Sequence, residues 1–492
     1  MMTSIDLFKP LPQPWVPAAY MKRAVKFLLE HGAAGLLLDP GLRKTSITLG
    51  AISLLLKKKV ASKVLVIAPL RVAYSTWPGE VAKWKDFNHL RVVVLHGPKK
   101  DELLKTEADI YVINPEGLDW LLDVTKTTGT SGKKVVIVDL KRFKRLGFDT
   151  LVVDELTKFK NHNSDRFKAM KCVLGTFRRR WGLTGSPAAN GLLPLFGQMF
   201  MLDQGNSLGA YITHYRAKYF LPAVDGFNWK LAEGSEQKIY EAINPLALRM
   251  AAEDYLDMPQ IIVNNIRVDL DDKAREIYDA VEDDLFASLE TGVVVAKNSG
   301  VALGKCRQVA SGGVFLTPEV EALVRPRKGE REWSLVHDEK IEAIKDLVEE
   351  LQGQPCLIAY EFEHDLIRLR KAFPEATFVV DVPAKDFKRL EDRWNRGEIG
   401  QLISHPAAVS HGLNLQKSGK HVIWFTLTWD YEVYDQFIRR LRRGGTVNKC
   451  IFVHHILATR TVDEYVLVSL DKKSKGQQSL FDALKLMRGR RR

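Results

Sequence analysis

The chain has 492 residues, 46% of them hydrophobic and 27% charged, and it carries a formal net charge of +13. This length predicts about three domains, and the composition excludes a wholly disordered chain. The first ten residues lack the basic and apolar pattern of a signal peptide, and no apolar run has the length of a membrane span. We therefore expect a cytoplasmic protein that has no membrane partner.

Four cysteines are widely spaced, at Cys172, Cys306, Cys356 and Cys450. This spacing argues against a disulfide framework and a structural zinc, and it fits a reducing cytoplasm. The excess of 73 Lys and Arg over 60 Asp and Glu favours a polyanionic partner without identifying it. Basic clusters, each of which taken singly fits a solvated surface, lie at residues 57–59, 141–145, 178–180 and 490–492.

From residue 24 onward, short apolar runs bounded by turn residues alternate with helical patterns. Such runs predict buried parallel strands, and their alternation with helices predicts a doubly wound α/β lobe. The runs of this first lobe lie at residues 35–38, 64–68, 92–95, 110–113 and 150–153.

Residues 235–247 and 271–291 are charged and periodic in the helical sense, which predicts a mostly helical bridge. Residues 316–331 have the composition of a linker or an exposed loop. A second α/β series follows, and the helical pattern over 461–486 predicts a C-terminal helix that braces the lobes. The helical start and the apolar runs of this second lobe lie at residues 339–351, 355–359, 377–380, 400–403, 421–425 and 450–453.

A phosphate-binding loop is predicted between the first apolar run and the helical pattern that begins at Ser46. The order is a strand, a tight loop, a Lys-Thr pair and a helix. This order points backbone N–H groups and the N-terminus of the helix at phosphates. Lys44 would neutralise the β and γ phosphates, and the hydroxyl of Thr45 would coordinate Mg²⁺. The loop residues that we assign to nucleotide binding are Asp39, Gly41, Arg43, Lys44 and Thr45.

Arg43 stands where such a loop usually has glycine directly before the lysine. The backbone must approach phosphate closely at this position and can require a positive φ. Two outcomes stay open. Arginine either tolerates that conformation at a cost of about 1 kcal/mol, or it hinders nucleotide binding.

An acidic pair, Asp154 and Glu155, ends the apolar run at 151–153. The end of a buried parallel strand suits Asp154 to Mg²⁺ binding, and it suits Glu155 to orienting and deprotonating the attacking water. A helix cap is the alternative role for such a pair. The phosphate loop at the expected order and distance favours the catalytic role.

Six segments in order resemble successive motifs of SWI/SNF-type translocases of helicase superfamily 2, most closely the compact versions found in bacteriophages and bacteria. The resemblance extends from about residue 20 to residue 464, and it implies ATP and Mg²⁺ as cofactors and a location in a bacterial or phage-infected bacterial cell. These segments are residues 66–72 with Trp77, Glu80 and Trp84, then 114–117, 154–161, 182–187, 411–416 and 436–445.

The resemblance also implies the fold and its division. The fold is α/β, with two tandem RecA-like P-loop NTPase lobes whose parallel sheets are flanked by helices. Lobe 1 is expected at residues 1–235 and the helical bridge with its linker at 236–330. Lobe 2, with the brace helix and a basic tail, is expected at 331–492.

In the second lobe, the resemblance assigns Arg440 and Arg443 as arginine fingers, three residues apart on one helix face. Their charge would offset the charge that develops on the transferred phosphoryl group. A basic helix that contacts nucleic-acid phosphates is the alternative. The resemblance also assigns Gln436 and Gly412 to ATP binding.

At the base end of the ATP site, Tyr20 would stack on adenine. Met21 follows it where the family often has a glutamine that reads the edge of adenine. The preference for ATP over other nucleotides is therefore left open.

Contacts to the nucleic-acid backbone hold a protein in place without reading sequence. Asn114 could instead form a turn, and His411 could instead satisfy a loop carbonyl. Thr184 and Ser186 would link the ATP site to the nucleic-acid groove. The residues predicted to bind DNA are Pro69, Arg71, Asn114, Thr184, His411 and Asn414.

The function predicted from the sequence is ATP-driven movement along double-stranded DNA without sequence specificity. Two alternatives stay open, a strand-separating DNA or RNA helicase and a DNA-binding scaffold whose ATPase is impaired by Arg43. If DNA is cut or modified, we expect a partner protein, such as a nuclease or a replication or recombination protein, to do so.

Overall fold

The computed structural model describes residues 11–128, 134–185, 188, 191–222, 229–290, 296–316, 333–383, 386–409, 413–444, 446 and 448–474. The chain divides into two compact units, Met1–Leu256 and Asp257–Arg492. Over the described residues, no helix combines the length and the apolar character needed to cross a membrane.

The first unit alternates strands and helices along the chain. Its strands, β1 to β11, are Ala33–Leu38, Val64–Ile67, Val92–Val94, Ile110–Ile113, Thr125–Thr128, Lys134–Ile137, Thr150–Asp154, Arg179–Thr184, Phe220–Pro222, Trp229–Leu231 and Ala247–Met250. Its α-helices are Ala19–Glu30, Lys44–Lys57, Leu70–Lys83, Lys100–Lys105, Leu118–Leu121, Leu140–Arg145, Asp165–Val173, Leu195–Asp203, Ile212–Tyr219 and Ser235–Ile243.

In the described part of this unit, seven strands form one parallel sheet in the order β11-β1-β8-β7-β2-β4-β3. Side chains on both faces of β2, β4 and the apolar part of β7 are buried, as the apolar runs predicted. Because the strands are parallel, their carboxyl ends lie at one edge of the sheet. All five strands predicted for the first lobe are confirmed.

Strand β8 was not predicted, because its sequence begins with arginines. Arg180 is nevertheless half-buried, and its guanidinium donates hydrogen bonds to the carbonyl oxygens of Leu174, Phe177 and Leu202. The interpretation of the 178–180 cluster as solvated surface is therefore wrong for Arg180. The three lysines at 57–59, by contrast, are exposed.

The second unit has its own strands, core and helices. Its strands, β12 to β19, are Gln260–Val268, Gly313–Phe315, Trp333–Leu335, Cys356–Ala359, Thr377–Phe378, Gln401–Ser404, His421–Trp424 and Cys450–Ala458. Its α-helices are Asp272–Glu290, Ala296–Ser311, Glu339–Glu350, Glu363–Ala372, Phe387–Asn395, Pro406–Val409, Tyr431–Ile438 and Val462–Ser474.

Six strands in the described residues of this unit form a second parallel sheet in the order β12-β19-β18-β15-β17-β16. Four of the five strands predicted for the second lobe are confirmed, and the fifth, predicted over 377–380, is a strand only at Thr377–Phe378, because a 3₁₀ turn begins at Val379. The predicted C-terminal helix is present as Val462–Ser474, and its Val462, Val466 and Leu470 pack in the core of this unit. Residues 475–486 of that prediction lie outside the described residues.

The bridge predicted over 236–330 differs from the structure. Its helices at Ser235–Ile243 and Asp272–Glu290 are present, but Ala247–Met250 pairs with β1 and Gln260–Val268 pairs with β19. Both strands have polar residues among the apolar ones. They therefore contain no continuous apolar run, which was the pattern used to predict the other strands. Most of the predicted linker, 317–331, lies outside the described residues.

Three buried histidines lie on neighbouring strands of the second sheet. His421 and His454 approach each other through ring nitrogens at 3.1 Å, and the other nitrogen of His421 lies 3.2 Å from Oε1 of Gln354. His455 faces the opposite side of β19, where its Nδ1 lies 2.7 Å from Oδ1 of Asn265. Burial lowers the pKa of His421 and of His455 to about 4, and in each case positive charge on His454 adds to the effect.

These histidines predict that the protein loses stability on mild acidification. An unfolded histidine has a pKa of about 6.5, so between pH 6.5 and pH 4 the unfolded chain binds more protons than the folded one. We expect each of His421 and His455 to lower the free energy of unfolding by about 2 kcal/mol from pH 7 to pH 5. Urea denaturation at the two pH values measures this change. His421→Gln should reduce the pH dependence, and an unchanged dependence in that variant would contradict the assignment.

Candidate nucleotide site and adjoining cleft

The phosphate loop connects β1 to the helix Lys44–Lys57. Gly41 has φ of 97°, and Arg43 has φ of 54° and ψ of 41°, which is left-handed backbone. For a residue with a Cβ atom this conformation costs about 1 kcal/mol. The structure therefore agrees with the expectation that this position requires positive φ, and the side chain of Arg43 is exposed.

Lys44 begins the helix and turns its ammonium group toward the end of β1. Its Nζ donates hydrogen bonds to the carbonyl oxygens of Leu38 at 2.6 Å and Asp39 at 3.3 Å. The carboxylate of Asp39 accepts a hydrogen bond from the backbone N–H of Ala252 at 3.0 Å. Asp39 therefore holds the phosphate loop against the segment that follows β11.

Asp154 lies at the carboxyl end of β7, where its carboxylate accepts a hydrogen bond from Nε1 of Trp77 at 2.9 Å. Burial raises the pKa of Asp154 to about 6, and the negative charge of Glu155 adds to the rise. The hydrogen bond from Trp77 and the positive charge of Lys44 act against it. Lys44 and Asp154, about 110 residues apart in sequence, therefore lie within electrostatic range of each other.

Glu155 is held by hydroxyl groups from two different segments. Its Oε1 accepts hydrogen bonds from the hydroxyls of Thr157 at 2.8 Å and Thr184 at 2.9 Å. Its backbone has φ of 79°, and its N–H donates to the carbonyl oxygen of Leu183 at 2.9 Å. These bonds fix Glu155 between the ends of β7 and β8.

Two glycines allow the segments around Glu155 to pack closely. A Cβ atom on Gly182 would lie 2.5 Å from Leu156, and one on Gly185 would lie 2.8 Å from Pro40. Since real Cβ atoms do not approach so closely, a larger residue at either position would force Leu156 or Pro40 to shift. The phosphate loop, the acidic pair and the end of β8 therefore meet at one edge of the sheet.

A pair of aromatic rings lies where the base end of the nucleotide site is predicted. Tyr20 is buried, and its ring centre lies 5.1 Å from that of Tyr255. Burial raises the pKa of Tyr20, and the positive charge of Arg43 opposes the rise, which places Arg43 near the ring. Tyr255 was not predicted, because no sequence pattern links it to a loop more than 200 residues earlier.

The residues assigned to Mg²⁺ suit that ion chemically. The Thr45 hydroxyl and the Asp154 carboxylate are oxygen donors, and Mg²⁺ is commonly held by one or two carboxylates together with substrate phosphates. The raised pKa of Asp154 shows that its anion is poorly solvated. A cation nearby would favour that anion, so this donor set fits.

In the second unit, the prediction that Arg440 and Arg443 share a helix face is wrong. The helix ends at Ile438, and the chain continues through turns. The carbonyl oxygen of Arg440 accepts from the backbone N–H of Leu415 at 3.2 Å instead of continuing a helical ladder. The guanidinium of Arg440 donates to the carbonyl oxygen of Leu413, so the segments around 413–415 and 440 lie side by side.

Three other predicted site residues of the second unit, Gln436, Arg443 and Asn414, lie near the contact between Arg440 and the segment 413–415. Gln436 is buried, and its Nε2 donates to Glu432 at 3.3 Å. Burial lowers the pKa of Arg443 to about 10, while the negative charge of Glu391 opposes the change. Asn414 is exposed, and its backbone N–H donates to Glu391 at 2.8 Å. His411 and Gly412 lie outside the described residues.

The DNA-binding residues predicted in the first unit occupy neighbouring strand ends. Pro69 and Arg71 follow β2 and Asn114 follows β4, which pairs with β2. Pro69 and Arg71 are half-buried, and burial lowers the pKa of Arg71. Asn114 is buried, and its Nδ2 donates to Glu116 at 2.8 Å.

Thr184 differs from its predicted role as a DNA ligand. Its side chain is 1% exposed and donates to Glu155, so it cannot reach a nucleic-acid backbone in this structure. Thr184 and Ser186 were predicted to link the ATP site to the nucleic-acid groove. The contact of Thr184 with Glu155 would be the ATP-site end of that link. Ser186, the other half of that link, lies outside the described residues.

A cleft of about 500 Å³ opens beside Asn114 on the same unit. The 3₁₀ segment Leu156–Phe159, the start of the helix Asp165–Val173 and strand β5 contribute to its walls. It is lined by Pro115, Glu116, Asp119, Lys126, Thr157, Lys158, Lys160, Asn161, Ser164, Asp165 and Arg166.

Comparison with known proteins places the chain in a family. Residues 20–310, more than half of the chain, match the family model described as the SNF2-related domain. The putative protein p41 of Acyrthosiphon pisum secondary endosymbiont phage 1 is 32% identical over 488 residues, which cover 96% of this chain and 99% of that protein.

Two more distant similarities cover most of this chain. An uncharacterized ATP-dependent helicase of Mycoplasma genitalium is 24% identical over 475 residues, covering 91% of this chain but 40% of that longer protein. The Sulfolobus solfataricus SWI2/SNF2 ATPase core, solved in complex with double-stranded DNA, is 21% identical with a TM-score of 0.41, covering 95% of this chain and 93% of that one. On the family model and the full-length phage relative, the chain belongs to the SNF2-related family.

Proposed function

We propose that this SNF2-family ATPase couples ATP hydrolysis to movement along double-stranded DNA without reading its sequence. The observation that carries the proposal is the meeting of three sequence-distant segments at one sheet edge. Lys44 acts electrostatically on Asp154, Thr184 donates to Glu155, and Pro40 packs on Gly185. This arrangement combines a predicted phosphate-binding loop with a half-buried carboxylate pair, the components of phosphoryl transfer to water.

Each residue of the first unit has a distinct task in this proposal. Lys44 exchanges the carbonyl oxygens at the end of β1 for the β and γ phosphates. Glu155 orients the attacking water and takes its proton, and the hydroxyl of Thr184 fixes the direction of that carboxylate. Tyr20 and Tyr255 provide an aromatic surface for the base.

Mg²⁺ and two arginines would offset the charge of the transferred phosphoryl group. Thr45 and Asp154 would hold Mg²⁺, which supplies charge neutralisation of the phosphates when bound. Arg440 and Arg443 are proposed as the arginines that stabilise the developing negative charge. The hydrogen bond from Arg440 to the carbonyl oxygen of Leu413 connects this arginine to the segment that contains Asn414.

Nucleic-acid binding is proposed to depend on backbone contacts. The net charge of +13 favours a polyanion. Pro69, Arg71, Asn114 and Asn414 follow strands or turns, where side chains and backbone N–H groups can meet phosphates. The cleft beside Asn114 adds Lys158 and Lys160 to this surface.

The test is ATP hydrolysis measured with no nucleic acid, single-stranded DNA, duplex DNA and RNA. We expect duplex DNA to stimulate hydrolysis most, and Lys44→Ala to abolish hydrolysis with every nucleic acid. Unwinding of a forked substrate would favour the strand-separating helicase instead. Hydrolysis no faster than that of Lys44→Ala would contradict the proposal and favour the scaffold.

Arg43→Gly separates an impaired loop from a working one. Glycine removes the left-handed cost of about 1 kcal/mol, so we expect an equal or moderately higher ATP affinity. A wild-type protein that binds no ATP while Arg43→Gly binds it would contradict a working motor. Binding to duplex DNA should also weaken steeply as salt rises, because neutralised phosphates release counterions.

A further inference from the structure

Trp77 is a core residue that donates a hydrogen bond to the nucleotide site. It lies on the helix Leu70–Lys83, and its side chain is fully buried. An indole ring has a single hydrogen-bonding atom, the donor Nε1, and buried donors are almost always paired. The acceptor for Trp77 is Oδ2 of Asp154, 2.9 Å away. The only polar atom of this large side chain is therefore used on the carboxylate that we assign to Mg²⁺.

The sheet explains how these two residues meet. The helix Leu70–Lys83 begins shortly after β2, and β2 pairs with β7, which ends at Asp154. The N-terminus of the helix therefore lies at the same sheet edge as Asp154. Side chains on a helix lean toward its N-terminus. The indole of Trp77 is thus carried toward that edge, although Trp77 itself lies two turns into the helix.

The carboxylate of Asp154 has more freedom than its backbone. The backbone is held in β7, where Asp154 is opposite Leu183 of β8. The side chain retains two torsions, of which the terminal one is broad and roughly two-fold in aspartate. In the described part of the chain, Trp77 supplies the hydrogen bond to this carboxylate, and Oδ1 receives none. Trp77 therefore determines which oxygen is occupied and which one is left.

A fixed carboxylate matters for the ion that Asp154 would hold. Mg²⁺ demands near-ideal octahedral geometry, so a ligand oxygen that turns away is poorly tolerated. Carboxylates that bind metals are themselves commonly held by hydrogen bonds from residues that do not touch the metal. Loss of such a partner typically lowers metal affinity or activity by about 10-fold to 100-fold. The indole N–H of Trp77 has the position of such a partner.

We propose that Trp77 is a positioning residue that holds the Asp154 carboxylate by Oδ2 and leaves Oδ1 to bind Mg²⁺. The inference rests on the proposed function, which gives Asp154 its role toward this ion. It adds a residue that contacts neither the nucleotide nor the metal. Trp77 acts on the affinity for Mg²⁺, and it affects hydrolysis only through that affinity.

The experiment measures nucleotide binding without hydrolysis. A non-hydrolysable ATP analogue is titrated into the full chain by calorimetry, once with saturating Mg²⁺ and once with excess EDTA. The ratio of the two dissociation constants is the magnesium gain, the factor by which Mg²⁺ tightens nucleotide binding. The metal-free affinity and thermal unfolding show whether the fold and the phosphate loop are intact in each variant.

Trp77→Phe removes the indole N–H and keeps an aromatic ring in the core. We expect its magnesium gain to be about 10-fold smaller than that of wild type, with the metal-free affinity unchanged. Trp181→Phe is the matched control, because Trp181 is equally buried on the same unit. Its Nε1 donates to the carbonyl oxygen of His31, before β1 and so at the opposite edge of the sheet. Its magnesium gain should equal that of wild type.

Trp77→His separates the hydrogen bond from the packing. Histidine fills less of the space of tryptophan than phenylalanine does, but it restores a ring N–H donor. We expect Trp77→His to be less stable than Trp77→Phe and to have the larger magnesium gain of the two. A role in packing alone predicts the opposite order of magnesium gains, and that order would overturn the inference.

The outcomes also separate this inference from the proposed function. If Mg²⁺ tightens nucleotide binding in wild type and Asp154→Asn loses that gain, but Trp77→Phe keeps it, Trp77 has no positioning role while the motor remains. If Asp154→Asn keeps the full gain, Asp154 does not hold Mg²⁺ and the inference is overturned with that assignment. If wild type binds no nucleotide under either condition, the proposed function fails and this inference fails with it.

Discussion

Replacing Glu155 with glutamine is expected to lower the rate of ATP hydrolysis by at least about 100-fold, the usual contribution of a positioned general base. The amide oxygen of glutamine can still accept hydrogen bonds from Thr157 and Thr184. The side chain therefore keeps its place but can no longer take a proton from water. ATP binding and DNA binding should stay close to wild type, as measured by equilibrium titration.

Glu107→Gln is the matched control for this change. This variant makes the same change from carboxylate to amide at another glutamate of the same unit. The side chain of Glu107 is 86% exposed and forms a surface ion pair with Arg91. Its hydrolysis rate should equal that of wild type. Near-normal hydrolysis by Glu155→Gln would show that another group activates the water.

Lys340→Met is expected to destabilise the second unit by about 3–5 kcal/mol, as loss of one partner from a buried ion pair does. Lys340 is fully buried, and its Nζ lies 2.5 Å from Oδ2 of Asp463, which is 2% exposed. Methionine can fill the space of the lysine stem, so the loss would come from the anion of Asp463 left without its cation. The same carboxylate also accepts the backbone N–H of Ala458, which joins β19 to the C-terminal helix.

Urea denaturation measures the free energy of unfolding of Lys340→Met and of the control Lys345→Met. Both lysines lie on the helix Glu339–Glu350. Lys345 is 43% exposed and pairs with Glu342 on the surface, so its loss should change the free energy of unfolding little. Asp463→Asn added to Lys340→Met should recover part of the loss, because the buried charge is removed. Similar stabilities for the two single variants would contradict the assigned role of the buried pair.

The fold was largely predictable because its central strands are continuous apolar runs. The runs at 64–68 and 421–425 lie in the sheets as β2 and β18. Strands with polar residues were missed, as in β8 with Arg180 and β12 with Asn264 and Asn265. A local sequence pattern does not show that a neighbouring strand will pair with such a segment. Nor does it show that carbonyl oxygens will accept hydrogen bonds from its polar side chains.

The candidate site was predictable in part for a related reason. Lys44 and Asp154 stand in short motifs whose spacing alone indicates phosphate chemistry, and the structure brings them within electrostatic range. The contacts of Trp77 with Asp154 and of Tyr255 with Tyr20 join residues 77 or more positions apart. One sequence contains no pattern that links such positions.

By itself, the sequence determined the two series of α/β elements, the phosphate loop and the acidic pair, since each depends on neighbouring residues. Only the tertiary structure decided that Arg43 is left-handed, that Thr184 faces Glu155, and that Arg440 lies beyond a helix end. It also decided that Thr157 lies between Glu155 and the cleft. Side-chain contacts across a sheet edge depend on strand order and close packing, which local sequence does not encode.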